Sequence, residues 1–227
     1  DATAGELPIP LTEPARVRYQ DERIHVDRFE ASAGETALSA SGDLPAFDAT
    51  QQAQGVLVVV TGGVGEVARA VAATGLTELP LTGGTGPVAL LARVTGSVQV
   101  PVLAADLEVG PGTISLLDLP QVSGIQVRAH AGDGWFELRE GVASYQAANI
   151  TATGRVPLSW FTPAVGAVVG GGELQARATN LTAAVLSPFL DPVAIDEISG
   201  SLDATLEAAS TSLDLAAVTG QFQIDRL

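Results

Sequence analysis

The chain has no cysteine, no methionine and no lysine, and only two Trp, two Tyr and six Phe in 227 residues. Without cysteine there is no disulfide framework, no thiolate nucleophile and no cysteine-based metal site. A chain that begins with Asp and lacks Met is expected to be a processed or excised piece of something longer, with any signal peptide or anchor outside it. All 11 basic residues are Arg, against 26 carboxylates, for a formal net charge of −15. That balance argues against nucleic acid, whose binding needs clustered cations on phosphates, and against anionic membrane surfaces. No apolar run approaches the roughly 20 residues of a membrane-spanning helix. The longest candidates, Val56–Val60 and Ala164–Val169, are far too short.

What the chain does have is a repeat. Asp21–Pro45 aligns without a gap on Asp133–Pro157, 112 residues further on. Asp21, Ala31, Ser32, Ala40, Gly42 and Pro45 return as Asp133, Ala143, Ser144, Ala152, Gly154 and Pro157. Apolar parity is kept between them, since Ile24 and Val26 become Phe136 and Leu138, and Leu38 becomes Ile150. Val94–Val98 is also answered by Ile198–Leu202. Repeated supersecondary units stack into one extended body, which points to a surface, groove or scaffold. The chain is read as one continuous body over 1–227, with units of about 15–132 and 133–227.

Strict alternation identifies those units as strands. Val17 and Tyr19 interleave with Arg16 and Arg18, Val98 and Val100 with Ser97 and Gln99, and Ile125 and Val127 with Gln126 and Arg128. Leu174, Ala176 and Ala178 alternate with polar residues, as do Leu202, Ala204 and Leu206. Period two puts one set on an apolar face and the other in water. Glycines at Gly34, Gly42, Gly110-Pro111-Gly112, Gly124, Gly132-Asp133-Gly134 and Gly154 read as turns between runs, giving about 14 strands. Short helices are expected at Glu66–Ala73 and Thr182–Leu186, and a charge-free linker at Pro163–Gly172. The expected fold is all-β: a long, strongly curved, mainly antiparallel sheet with an apolar inner groove and one or two short helices. So many half-apolar strands need a partner for their apolar face. Either the sheet closes on itself or it forms an open trough filled by something else.

Candidate chemistry is sparse. Gly63, Gly65 and Ala68 fit the G-x-G-x-x-G/A dinucleotide fingerprint after an apolar strand. However, hairpin-like material follows, no acidic residue ends a second strand, and Glu66 occupies the place of the phosphate. The alternative is a glycine-rich turn into a short helix. His25 and His130 fall at polar positions without H-x-x-x-H or H-E-x-x-H spacing, and read as solvated side chains. The carboxylates of Asp21–Asp48 lack a calcium-loop pattern and read as a solvated face, and no G-x-S-x-G elbow is present. The chain is therefore expected not to be an enzyme and to use neither metal nor cofactor.

Val94-Thr95-Gly96-Ser97-Val98-Gln99-Val100-Pro101-Val102-Leu103 resembles a recurrent "v-x-G-x-x-x-x-P-x-l" element of the TamB/AsmA-like proteins of the bacterial envelope. Asn149–Leu158 is similar to that family's closing "G-x-x-P-l" strand, and Ala40–Pro45 repeats the ending. The second copy departs from the pattern, with Thr205 where Pro101 would stand. The resemblance implies a taco-like sheet in the periplasm, held to the inner membrane by a region outside this chain. It also implies phospholipid acyl chains as cargo and a link to outer-membrane β-barrel assembly proteins, with no catalytic residue. Strand parity then assigns the groove lining to Val17, Tyr19, Ile24, Val26, Leu57, Val59, Val98, Val100, Ile125, Val127, Phe136, Leu138, Ile150, Leu174 and Leu202. Two other readings fit the same strands. One is a chaperone-like module whose free edge adds a client strand; the other is a structural β-domain with a closed core.

Overall fold

The alternating segments pair into one antiparallel sheet of thirteen strands that is curved and unclosed. The computed structural model describes residues 14–47, 53–67, 81–116, 121–160, 170–182, 185, 200–212 and 218–226. The first half comprises β1 (Arg16–Gln20), β2 (Arg23–Ala33), β3 (Thr36–Pro45), β4 (Gly55–Gly63), β5 (Leu81–Thr85), β6 (Pro87–Gly96) and β7 (Pro101–Leu116). The second comprises β8 (Val122–Gly132), β9 (Trp135–Tyr145), β10 (Ala148–Pro157), β11 (Gly172–Thr182), β12 (Ser201–Ser210) and β13 (Val218–Arg226). Chain order is sheet order, except that β5 leaves the path to pair with β7 while β4 pairs with β6.

The internal repeat is a repeat of hydrogen bonding as well as of residues. β2 and β9, and β3 and β10, have bounds 112 residues apart. The β1–β2 turn puts Asp21 and Glu22 at φ 50 and 59, and the β8–β9 turn puts Asp133 and Gly134 at 51 and 80. Two consecutive positive φ angles define the type I′ hairpin, whose twist suits the flanking strands. Ala46 N–H donates to the Glu22 carbonyl at 2.7 Å, and Leu158 N–H to the Gly134 carbonyl at 2.7 Å. Even the bulges coincide. β2 slips between Val26 and Phe29 opposite Ala40 and Gly42, as β9 slips between Leu138 and Gly141 opposite Ala152 and Gly154.

Several expectations are corrected by the register. Gly42, Gly110–Gly112, Gly124 and Gly154 lie inside β3, β7, β8 and β10, at shifts in pairing, and only Gly34 and Gly132–Gly134 mark turns. A glycine inside a strand commonly marks a bulge or a close backbone approach, so treating each as a turn overcounts strands. Val94–Gly96 closes β6, whereas Ser201 and Leu202 open β12, so those segments are not structural equivalents. Instead β12 matches β6 at a shift of 114, since Pro87–Gly96 becomes Ser201–Ser210. The division at 133 falls within the β8–β9 turn, and both flanking strands are paired across it.

Residues 64–67 are helical after β4, and Val185 is helical after β11. Thr182 is the last residue of β11, and the rest of Glu66–Ala73, Thr182–Leu186 and Pro163–Gly172 lies largely outside the described residues. Gly172 itself opens β11.

Candidate functional site: the apolar face

Cross-strand partners in an antiparallel pair lie on the same side of the sheet, so the register assigns every side chain to a face. Tyr19 pairs with Ile24 and Val17 with Val26. The line continues through Val26–Gly42, Gly42–Val56 and Val56–Val94. From Val94 it passes to Leu103, and through β7 Leu107–Ala129 and Val109–Val127 carry it into β8. It ends through Ala131–Phe136, Gly154–Leu138, Gly154–Leu174, Leu174–Ala208 and Ala208–Gly220. One apolar face therefore runs from β1 to β13.

Of the groove residues named from the sequence, the register brings eleven onto that face. They are Val17, Tyr19, Ile24, Val26, Ile125, Val127, Phe136, Leu138, Ile150, Leu174 and Leu202. Four are elsewhere. Leu57 pairs with Ser41 and Arg93, and Val59 with Ser39 and Leu91, which places both on the opposite face. In their stead Val56, Val58 and Val60 occupy the apolar side. Val98 and Val100 are not in a strand at all. They lie in the Ser97–Val100 connection between β6 and β7 and are 50% and 62% exposed. That connection is held by Ser97, whose Oγ accepts from Val100 N–H at 3.2 Å, and by Val98 N–H donating to the Pro45 carbonyl at 3.1 Å.

Ala92, Ala105, Ala129 and Ala131 are all buried, although they stand in the middle of a single sheet. Larger side chains on the same face cover these methyl groups, and the apolar face is the inside of the curved sheet. Val58, Leu90, Leu103 and Phe136 pack over Ala92, Ala105 and Ala131, and Leu158, from the 3₁₀ turn Leu158–Trp160 after β10, completes the cluster. At the other end of the strands Val185 closes over Tyr145 and Ala148, with Val122, Ile150 and Leu181 around them. The Tyr145 hydroxyl is buried there with no hydrogen-bond partner among the described residues. Between those ends Leu107, Val109, Val127 and Leu138 are half-buried. Toward the sides the face opens, with Leu174 39%, Leu206 37%, Tyr19 64% and Phe222 64% exposed.

The outer face is apolar at Leu57, Val59 and Leu91 and elsewhere carries ion pairs from strand to strand. Arg18 binds Asp27 through two 2.7 Å contacts, Arg23 binds Asp43 at 2.9 Å, Arg128 binds Glu140 at 3.2 Å and Arg155 binds Glu173 at 3.4 Å. His130 Nδ1 lies 2.8 Å from Asp106 Oδ1, so this histidine is a cross-strand partner and not simply solvated. Arg155 also sits over the Trp135 ring, 4.9 Å from its centroid. The exposed pairs among these add little to stability, and Arg23–Asp43 alone of the four arginine–carboxylate pairs is part-buried. Their larger effect is to give those parts of the outer face a fixed polar character. Of the carboxylates expected as a solvated cluster, Asp27, Glu30 and Asp43 are ion-paired, while Asp48 lies outside the described residues. No group of three or more metal-ligating side chains occurs among the described residues, and no helix among them is long and apolar enough to cross a membrane.

The hydrogen bond from Arg18, followed by its charge, holds the Asp27 carboxyl below its ordinary value of 3.8. Arg28 lowers Glu30 in the same way. A carboxyl depressed by folding contributes stability that is full above its unfolded value and lost as pH falls through the folded one. The Arg18–Asp27 contribution is therefore expected to be full above 3.8 and to be lost as pH falls below it. A carboxyl NMR titration should place the Asp27 midpoint below 3.8, and Arg18→Ala should raise it. An unchanged midpoint in Arg18→Ala would refute the pairing.

The glycine fingerprint has a structural occupation. Gly62 and Gly63 belong to β4 and pair with Val88 and Pro87, Val64 N–H donates to the Gly86 carbonyl at 2.9 Å, and Ala68 lies outside the described residues. A Cβ on Gly65 would stand 2.8 Å from the Gly84 carbonyl. Glu66 reaches the β2–β3 turn, where its Oε2 accepts from Glu35 N–H and Thr36 Oγ1, both at 2.9 Å. Glu66→Gln keeps an acceptor and is expected to be near neutral, whereas Glu66→Ala should cost about 1 kcal/mol. Urea unfolding checks this, and equal losses in both variants would point to the charge itself.

Comparison with protein-family models, with characterised proteins and with solved structures yields no match.

Proposed function

We propose that this chain is a segment of a hydrophobic conduit that shields phospholipid acyl chains from water between two membranes. The observation that carries the reading is the single apolar face. It holds its phase through twelve consecutively paired strands, and among the described residues no second layer covers it between its two ends. Acyl chains laid along that face gain roughly 0.8 kcal/mol per buried methylene, and no catalytic group is needed. The ion pairs of the outer face and the net charge of −15 keep the exterior in water and away from anionic surfaces. The TamB/AsmA-like resemblance of the β6–β7 connection and of the ends of β3 and β10 supports the same reading. It adds a periplasmic setting, an inner-membrane anchor outside this chain, and contact with an outer-membrane β-barrel assembly protein.

Photo-crosslinking side chains at Ile24, Phe136 and Leu202 test the reading. All three are expected to capture lipid in cells, and native mass spectrometry after gentle purification should show lipid bound. Capture of polypeptide near Val17 or Phe222, with nothing at the three interior positions, would replace the conduit by a strand-adding chaperone. No capture at any position, with no bound lipid, would leave a structural domain.

A further inference from the structure

The repeat assigns partners to the two strands at the sides of the sheet. β12 repeats β6 at a shift of 114, and Val218 opens β13 where Pro101 opens β7, at a shift of 117. β1 (Arg16–Gln20) repeats the last five residues of β8, at the same shift of 112 that relates β2 to β9. In the middle of the sheet β7 and β8 lie side by side. The outer side of β13 therefore corresponds to the side of β7 that β8 covers. The outer side of β1 corresponds to the side of β8 that β7 covers.

We propose that β1 of a second copy of this chain adds antiparallel to β13, so that copies continue one another head to tail as a single sheet. The register is that of β7 on β8, where Ala105 pairs with Ala131, Leu107 with Ala129 and Glu108 with Arg128. Transposed, Phe222 meets Tyr19, Ile224 meets Val17 and Asp225 meets Arg16 of the second copy. The side chains are complementary at each of these positions. Phe222 and Tyr19 are each 64% exposed, Val17 57% and Ile224 47%, and all four stand on the apolar face. Aromatic and β-branched pairs directly opposite one another are the contacts that stabilise sheets. The ion pair is complementary as well. Arg128 faces Glu140 on one side and Glu108 on the other. Its equivalent Arg16 faces Arg28 on β2, a like charge, and Asp225 restores a carboxylate on the other side. Asp225 already accepts from Thr205 Oγ1 at 2.7 Å, and a carboxylate has room for a further donor. Strand addition of this kind gives affinity through main-chain hydrogen bonds and specificity through alternate side chains. The contact is heterologous, so it propagates into a filament instead of closing a dimer. The inference holds whatever the apolar face carries.

The chain has no cysteine, so paired cysteines report the register directly. Tyr19→Cys with Phe222→Cys, oxidised mildly at about 0.15 M salt to screen the net charge, is expected to give a ladder of covalent multimers. Tyr19→Cys with Gln223→Cys, one residue out of register, should give markedly less. Unmodified protein should show mass increasing with concentration by light scattering at high micromolar levels. Asp225→Arg should weaken that association about fivefold, and Asp225→Arg combined with Arg16→Asp should restore it. Circular dichroism confirms that each variant keeps its strands, and the cysteine map stands if a charge variant does not. A chain that remains monomeric with no ladder overturns the proposal. So does a ladder that ignores register, or a bridge formed within one chain, which would mean that the sheet closes on itself.

Discussion

Gly42→Val is expected to destabilise the protein by roughly 3 kcal/mol or more, read as a lowered urea midpoint. Gly42 sits at φ +134, and a Cβ there would run into the Gly55 carbonyl of β4. The position lies beside the β2 bulge, flanked by Val26 and Val56. Its repeat partner Gly154 shares the close approach without the positive φ, because a Cβ would stand 2.5 Å from the Glu173 carbonyl of β11. Gly154→Val should therefore also destabilise. Ser41→Val, one residue away at an exposed position, is expected to stay within about 0.5 kcal/mol. Should Gly42→Val unfold within 1 kcal/mol of the parent, a flexible bulge in place of close backbone contact would be indicated.

The second large effect distinguishes an open face from a core. Val127 and Ala129 are neighbours on the apolar side of β8, but Val127 is half-buried while Ala129 is only 4% exposed. Val127→Asp should leave the chain folded, at a cost of about 1–2 kcal/mol, because its carboxylate can reach water. Lipid capture at Phe136 should nevertheless be lost, since a charge would stand in the path of the acyl chain. Ala129→Asp should unfold the protein, as a buried unpaired charge does. If Val127→Asp unfolds as readily as Ala129→Asp, the face is a closed core. If it folds and still captures lipid at Phe136, the conduit reading fails.

Most of the apolar face was legible because its strands alternate and its units recur. Ile24, Leu138 and Leu174 could be placed by phase alone, since each has a polar residue on either side. β4 could not. Val56–Val60 is apolar at every position, so period two carries no information there, and the choice between Val58 and Val59 is made by pairing with Ala40 and Ala92. Gly42, common to both copies, anchors that register and was the available signal. Val98 and Val100 misled for a different reason. Their alternation is genuine, but Gly96 pairs with Pro101, which leaves the four residues between them to make the connection. The matching of β6 with β12 was hidden because their sequences differ even though their bounds and partners correspond. Covering by Leu158 and Val185 is a tertiary choice that no local pattern announces.

The path of the chain through the sheet has a consequence for how it assembles. With β5 as the sole departure, each strand on the path lies beside the one that precedes it in the sequence. Most of these neighbours are joined by short connections, the longest running from β4 to β6 and from β11 to β12. Loop-closure cost grows only slowly with length, and local pairing is fast. A nascent chain can therefore add each strand to the growing edge as it emerges, with no early strand left waiting for a distant partner. The vulnerable species at any moment is the last strand added, whose open side is chemically the same kind of edge that β13 presents in the finished sheet. Synthesis and end-to-end continuation would then be one process, carried on first within a polypeptide and afterwards between polypeptides.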